Sequence, residues 1–326
     1  DDTPGVVLVA AKISDGTNAL ASDQPVFNGA SNAAPPAISA TETLDSDKDG
    51  QIDQILVTLS EAIADGSSTL NNTTFTVAGY TVSNTTTGTS ANDNKVLISL
   101  AESGSADTDA TPNVILVAAK ISDGANALAS DQTFTGTADT APPAIIEAKT
   151  LDSDNDGQID QILVTLSETI ADGSSTLNNT TFTVAGYTVS NTTSGASAND
   201  NKVLITLVES GSPDTDATPD VTLVAAKISD GSAALASDQT FSGTTDGAAP
   251  AIVAANILDD DDDGQIDQIL VTLSEAITDG SSTLNNTTFT VAGYTVSNTT
   301  TGASANDNKV LITLTESGSA DTDATP

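Results

Sequence analysis

Three loops of the sequence carry aspartates at alternate positions. The first reads DSDKDGQID and has acids at its positions 1, 3, 5 and 9, with Gly50 at position 6 to permit a sharp turn. Hard cations such as Ca²⁺ require oxygen ligands at this spacing, including a backbone carbonyl from position 7. We call residues 45–53, 152–160 and 259–267 the aspartate loops. Their predicted ligands are Asp45, Asp47, Asp49, Gln51 and Asp53; Asp152, Asp154, Asp156, Gln158 and Asp160; and Asp259, Asp261, Asp263, Gln265 and Asp267.

Calcium is the cofactor that this spacing predicts. Without a cation, acids in one short loop repel one another by about 1 kcal/mol per close pair even in water. Leu56 stands where an EF-hand has its last glutamate, so the loop is not an EF-hand and further ligands must come from elsewhere in the fold. The alternative is a solvated acidic turn, because Asp and Gly are also common loop residues.

Other acidic groups recur beside the aspartate loops. A second cluster is expected either to complete the calcium site or to form another, with a solvated loop as the alternative. It consists of Glu102, Asp107 and Asp109, with copies Glu209, Asp214 and Asp216, and Glu316, Asp321 and Asp323. A further set consists of Asp15, Asp123 and Asp230. We interpret these aspartates as turn formers first and as ligands second. A last set consists of Glu61, Glu168 and Glu275. Each of these glutamates ends a strand and could reach a cation.

The composition excludes several classes of function. Eight Lys+Arg against 45 Asp+Glu give a net charge of −37, which excludes a nucleic-acid partner because phosphates need a basic surface. His and Cys are absent, so zinc sites, disulfides, thiol nucleophiles and histidine bases are unavailable, and we expect no enzyme. No apolar run approaches the ~18 residues that span a bilayer, so no membrane span is expected in this segment.

The loops belong to a tandem array. Each opens the motif GQIDQILVTLSE, and the preceding leucines Leu44, Leu151 and Leu258 are separated by 151 − 44 = 107 and 258 − 151 = 107 residues. Short runs rich in Val, Ile and Thr alternate with Gly, Asp and Asn clusters, which is typical of all-β domains. In the first repeat we predict strands at residues 55–61, 74–83, 95–100 and 114–121. A unit of this length has the size of a β-sandwich.

Prolines suggest where the repeats join. We predict linkers at Pro35–Pro36, at Pro142–Pro143 and at Pro250, and hence an end of a preceding repeat in residues 1–34, followed by repeats at 35–141, 142–248 and 249–326. The strand VVLVAAKI near the start belongs to the end of a repeat, and the last repeat lacks that strand. The chain is therefore an excerpt of a longer array, a subunit that donates this strand head-to-tail to another chain, or a domain that begins with it.

The stretch DSDNDGQIDQILVTLSETI, followed by a β-rich unit and an APP linker, resembles the calcium-binding immunoglobulin-like repeats of giant bacterial surface adhesins. The resemblance implies an extended rod of immunoglobulin-like sandwiches, with the loop aspartates as calcium ligands, that projects an adhesive tip or assembles a surface fibre. Millimolar calcium outside cells would load such sites, so we expect an extracellular, cell-surface location. The alternative function is a glycan- or ice-binding adhesive module.

Overall fold

The computed structural model describes residues 5–27, 32–88, 90–209, 211–302, 304–316 and 318–326. They form two compact units, one of Asp1–Asp47 with Gln51–Ala141 and one of Lys48–Gly50 with Pro142–Pro326. Both units are built from antiparallel strands, with a single short 3₁₀ helix at Asp65–Ser67 among the described residues. The predicted all-β tandem array is confirmed.

Seven strands make the first repeat: β1 Ile38–Leu44, β2 Gln54–Leu59, β3 Phe75–Val77, β4 Thr81–Thr87, β5 Lys95–Ala101, β6 Val114–Leu116 and β7 Gln132–Phe134. One sheet has the order β1-β2-β5-β4, and the other has the order β3-β6-β7. If the strands are lettered A to G, these are the ABED and CFG sheets of an immunoglobulin constant domain. The first repeat therefore has immunoglobulin-like topology.

The second repeat reproduces this arrangement in the second unit. Its sheets have the orders β8-β9-β12-β11 and β10-β13-β14. The strands are β8 Ile145–Leu151, β9 Gln161–Leu166, β10 Phe182–Val184, β11 Thr188–Ser194, β12 Lys202–Val208, β13 Val221–Leu223 and β14 Gln239–Phe241.

The third repeat contains one four-stranded sheet in the described residues. Its order is β15-β16-β18-β17, from β15 Ile252–Leu258, β16 Gln268–Leu273, β17 Thr295–Thr301 and β18 Lys309–Thr315. Residues 289–291, which correspond to β3, are not in a strand here. The described residues reach Pro326, the counterpart of Pro112, and among them no strand pairs with this segment.

Aliphatic side chains from both sheets form the cores of the first two repeats, and Ile266 with residues of β16 and β18 forms the buried core of the third. In the first repeat Ile55 and Val57 of β2 are fully buried together with Phe75 of β3 and Val114 of β6. Alternate residues of β2 and β5 point inward, as expected for strands with one buried face. Tyr80 and Phe134 are partly buried and pack against this core.

Two strand predictions were wrong in extent. Residues 74–83 form two strands, not one, because the chain turns at Gly79, whose φ of +84° suits glycine, and passes from one sheet to the other. Residues 114–121 keep strand geometry only at Val114–Leu116. The predicted strands at 55–61 and 95–100 match β2 and β5 to within two residues at each end.

Candidate metal centre

The second aspartate loop leaves β8 at Leu151 and enters β9 at Gln161. Backbone bonds hold both ends together, since Asp160 N donates to Leu151 O at 3.1 Å and Leu207 N donates to Asp160 O at 2.8 Å. The loop turns through two residues of positive φ, Asn155 at +62° and Gly157 at +96°. The loop therefore connects the paired ends of β8 and β9 at one end of their sheet.

Carboxylate oxygens of Asp152, Asp154 and Asp156 lie within 4.8 Å of one another. Backbone N–H groups of the loop orient them: Asp152 accepts from Asn155 at 2.7 Å and from Gly157 at 2.9 Å. Asp156 accepts from the backbone and side-chain amides of Gln158 at 2.9 and 3.0 Å. This arrangement brings three acidic groups close enough to share one cation.

The third aspartate loop repeats this geometry. Asp259, Asp261 and Asp263 also lie within 4.8 Å of one another. Asp259 accepts from Gly264 N at 2.9 Å, and Asp263 accepts from Gln265 N at 2.9 Å. In the first unit a related group brings Asp47 and Asp53 together with Glu102. Asp45 belongs to the same unit, whereas Asp49 is an exposed residue of the Lys48–Gly50 segment of the second unit.

The glutamate of the second acidic cluster lies beside each loop. The pKa of Glu209 is raised, first by the negative charge of Asp156 and then by desolvation and by Asp154, Asp160 and Asp152. Glu316 has a raised pKa for the same reasons, with Asp263 as the largest cause. Glu102, Glu209 and Glu316 are thus the ligand candidates that the fold adds to the loops, although they lie about 50 residues away along the chain.

The side chains of the other residues in the predicted ligand sets have hydrogen-bond partners. Asp160 accepts from the backbone N of Ser153 at 2.9 Å and from its hydroxyl. Side-chain oxygens of Gln158 and Gln265 accept from the backbone N of Gly211 and Gly318, and Gln51 accepts from Gly104 at 2.5 Å. Asp53 accepts from Ser46 N, and Asp267 from Asp260 N, at 3.0 Å each. These bonds close the loops against the turn that carries the glutamate.

Asp107, Asp214 and Asp321 lock that turn to the loops. Each accepts a backbone N–H from the loop, Ile52, Ile159 or Ile266, at 2.7–2.8 Å, and a tyrosine hydroxyl at 2.7–2.8 Å. Asp109, Asp216 and Asp323 are exposed. Their charges help to raise the pKa values of the same tyrosines. Burial is the largest cause for Tyr80 and Tyr187, and the hydrogen bond to Asp321 is the largest cause for Tyr294.

The two remaining acidic sets meet in the second unit, where carboxylate oxygens of Glu168 and Asp230 lie within 4.8 Å of each other. Asp123 and Asp230 accept backbone N–H groups two and three residues further on, which makes them turn formers. Hydrogen bonds from Asn126 lower the pKa of Asp123. Glu61 and Glu168 are buried, and Asn32 donates to Glu61 at 2.7 Å. Desolvation raises the pKa of half-buried Glu275.

The second loop also contacts the third repeat within the second unit. A Cβ built on Gly157 would lie 2.6 Å from Cγ1 of Val253 and 3.1 Å from Cβ of Ser274. Next to it, the hydroxyls of Thr215 and Ser274 lie 2.7 Å apart. The candidate metal centre is therefore part of the joint between the second and third repeats.

No protein-family model and no curated protein matches the chain. Solved structures that are similar to it include a crystal structure of the S-layer protein rSbsC, at 11% identity, and a structure of domains 1–6 of the surface layer protein SbsC, at 12% identity. Each alignment covers 87% of this chain and 51% of the other at a TM-score of 0.24. The chain thus spans about half the length of these proteins, and a similarity this low does not bear on function. In the described residues no helix is long and apolar enough to cross a membrane.

Proposed function

We propose that the chain is a calcium-stiffened structural segment of a secreted or cell-surface protein. In this role the repeats extend an adhesive protein or assemble with other chains into a surface fibre. The observation that supports it is the position of the second aspartate loop: three carboxylates converge within 4.8 Å, and Gly157 of the same loop packs against Val253 of the following repeat. A cation bound there acts on the loop and on the joint together.

Calcium suits this site for reasons of charge. Carboxylate oxygens are the preferred ligands of Ca²⁺, and Asp152, Asp154, Asp156 and Glu209 offer them on two neighbouring segments. One Ca²⁺ per loop changes the net charge from −37 to −37 + 6 = −31 and removes repulsion where it is densest. A cation that binds only the folded state stabilises it by about 2.7 kcal/mol at 100 times its Kd.

The extracellular location follows from the expected affinity. Sites that are partly exposed and lack a preformed cage bind Ca²⁺ in the range of extracellular modules, Kd of about 10⁻⁴–10⁻³ M. Calcium reaches such concentrations outside cells. We also propose a non-catalytic role. Carboxylates are the reactive groups of the site, and the same carboxylates recur in a loop of each repeat, which is typical of a structural role.

The test is thermal unfolding and small-angle scattering of the full chain in millimolar Ca²⁺ and after chelation. We expect a lower unfolding midpoint and a shorter, more flexible particle when the ion is removed. An unchanged midpoint and scattering curve would overturn the calcium role and the location inferred from it.

A matched pair of variants assigns the effect to the second loop. Asp154→Asn removes a ligand candidate, so we expect calorimetry to show one fewer ion per chain. Asp220→Asn removes the same charge at an exposed position that is already Asn113 in the first repeat, and we expect it to leave the ion count unchanged. Equal effects of the two variants would show that only net charge matters.

A further inference from the structure

Each repeat contains acceptor sequences for N-linked glycosylation that the proposed function does not use. An asparagine followed two residues later by serine or threonine is such a sequence when the residue between them is not proline. The first repeat has three, which begin at Asn71, Asn72 and Asn84. The other repeats contain the same three, at Asn178, Asn179 and Asn191 and at Asn285, Asn286 and Asn298. A motif this short also occurs by chance, so the fold has to distinguish the accessible acceptors from the closed ones.

The first two acceptor sequences overlap in a turn that occupies their side chains. Oδ1 of Asn71 accepts from the backbone N and the hydroxyl of Thr73 at 2.8 and 2.7 Å. Thr74, whose hydroxyl completes the sequence of Asn72, is fully buried and donates to the carbonyl of Thr69 at 2.5 Å. The same bonds recur in the second repeat. In the folded chain these two sequences are therefore closed.

The third acceptor sequence is open on a strand. Asn84 and Thr86 of β4 are exposed, and Thr85 between them is only 2% exposed. Alternate residues of a strand point to the same side, so the amide and the hydroxyl face solvent together. The same pattern of exposure recurs at Asn191 and Thr193 of β11 and at Asn298 and Thr300 of β17.

The strands that carry this sequence, β4, β11 and β17, are edge strands of their sheets. They read TVSNTTT, TVSNTTS and TVSNTTT, without a charged residue or a proline. A register shift precedes the asparagine, and the four residues from the asparagine onward pair regularly with the neighbouring strand. Uncharged edge strands of this kind tend to pair with strands of other copies unless something covers them. The asparagine is the fourth of the seven residues, so a bulky hydrophilic group on it covers the middle of the edge.

We propose that Asn84, Asn191 and Asn298 carry N-linked oligosaccharides, which cover the free edges of the three sheets. The donor is an oligosaccharide linked to a polyprenyl diphosphate. Nδ2 of the asparagine forms a bond to C1 of the first sugar, the bond from C1 to the diphosphate oxygen breaks, and the polyprenyl diphosphate leaves. The amide proton passes to a base of the transferase, and nothing is oxidised or reduced. This inference rests on the secreted location in the proposed function, because acceptor sequences are used in secreted chains.

The test is peptide mapping of the full chain isolated from the cells that produce it. Cleavage after lysine gives the peptides 49–95, 150–202 and 228–309, each with all three acceptor sequences of one repeat. Electron-transfer fragmentation locates the sugar within each peptide. We expect sugar on Asn84, Asn191 and Asn298 and none on the other six asparagines. Unmodified peptides, or sugar confined to those six, would overturn the proposal.

Two chemically identical substitutions, made in the same cells, assign the sugar to this sequence. Thr86→Val removes the required hydroxyl, so peptide 49–95 should lose its sugar while the peptides of the other repeats keep theirs. Thr85→Val changes the position that the acceptor sequence leaves open, and it removes a buried hydroxyl with no hydrogen-bond partner among the described residues. This variant should keep the sugar. Loss of the sugar in both variants, or in neither, would contradict the assignment.

The covering role is tested with two triple variants. Asn84→Gln, Asn191→Gln, Asn298→Gln removes the proposed acceptors, and we expect it to form β-rich aggregates at concentrations where the unaltered chain does not. Asn72→Gln, Asn179→Gln, Asn286→Gln is the matched control and should behave like the unaltered chain. Light scattering and thioflavin fluorescence measure the difference. Equal aggregation of the two triple variants would overturn the covering role.

Calcium titration of the isolated chain separates this inference from the proposed function. A chain without sugar whose unfolding midpoint still rises with Ca²⁺ contradicts only the glycosylation. A glycosylated chain whose midpoint does not respond to Ca²⁺ contradicts only the calcium role.

Discussion

The hydroxyl of Tyr187 donates a hydrogen bond of 2.8 Å to Oδ2 of Asp214. Oδ1 of the same carboxylate accepts the backbone N–H of Ile159, inside the second aspartate loop, at 2.8 Å. Burial and then the bond to Asp214 raise the pKa of Tyr187, so the hydroxyl remains a donor at neutral pH. Asp214 therefore connects the loop to the tyrosine and acts as a positioning group.

Removal of the tyrosine hydroxyl tests this connection. Tyr187→Phe keeps the ring but leaves one oxygen of Asp214 without that donor, and we expect a loss of about 1–2 kcal/mol in unfolding free energy. Because the three loop aspartates remain, calcium affinity at the second loop should fall only a few-fold. Urea unfolding and calorimetry of the full chain measure the two effects. Loss of the bound ion with unchanged stability would instead make Asp214 part of the ion's own shell.

The sequence predicted the period, the all-β class and the acidic loops, because these depend on local spacing. The break in residues 74–83 was missed, since TFTVAGYTVS alternates like one strand and only Gly79 marks the turn. The separate roles of Glu209 and Asp214 depend on how the turn that carries them folds back on a loop about 50 residues earlier. Spacing along the chain gives no distance of that kind, so it could not distinguish a group beside the loop from one that anchors it.

Acidification is predicted to have opposite effects with and without calcium. In the metal-free chain, Asp156 raises the pKa of Glu209 above its ordinary value of 4.5. The folded state therefore binds this proton more tightly than the unfolded state, so stability falls as pH rises from 4.5 through the raised pKa. We expect the unfolding midpoint of the metal-free chain to rise when the pH is lowered from 7 towards 5.

In the calcium-loaded chain the same change should lower the midpoint, because protons compete with the ion for the carboxylates. Glu209→Gln removes one of the titrating groups and should reduce both slopes. Circular dichroism melts at several pH values measure this. A metal-free Glu209→Gln variant with the full slope would contradict the assignment to Glu209.

A further prediction compares two equivalent threonines. In the first repeat Thr137 accepts from Thr41 at 2.7 Å and donates to the carbonyl of Pro112 at 2.6 Å. In the second repeat Ala148 replaces Thr41, and the buried hydroxyl of Thr244 has no hydrogen-bond partner among the described residues. Burial of an unpaired hydroxyl costs about 1–3 kcal/mol.

Thr244→Val should therefore stabilise the chain by about 1 kcal/mol, and Thr137→Val should destabilise it by about 1–2 kcal/mol. The two substitutions are chemically identical, so their opposite signs isolate the hydrogen bonds. Chemical unfolding of both variants measures the difference. A destabilising Thr244→Val would indicate that this hydroxyl has a partner, such as a buried water.

The joint between the second and third repeats is tested by two glycines with similar backbones. Gly157 and Gly186 have φ values of +96° and +83°, so alanine at either position costs about 1 kcal/mol in backbone strain. Only at Gly157 does the new Cβ meet a neighbour, 2.6 Å from Val253, while nothing lies within 4 Å at Gly186. Gly157→Ala should therefore cost about 1–3 kcal/mol more than Gly186→Ala, through overpacking of the joint.

The added variant Val253→Ala shows whether that extra cost arises at the joint. It removes the methyl group that the new Cβ meets, so the double variant Gly157→Ala, Val253→Ala should regain most of the additional loss, beyond the sum of the single effects. Unfolding midpoints of the four chains in millimolar Ca²⁺ measure this coupling. If Gly157→Ala and Gly186→Ala cost the same, the loop does not press on Val253 in solution, and the contact that supports the proposed stiffening of the joint is absent.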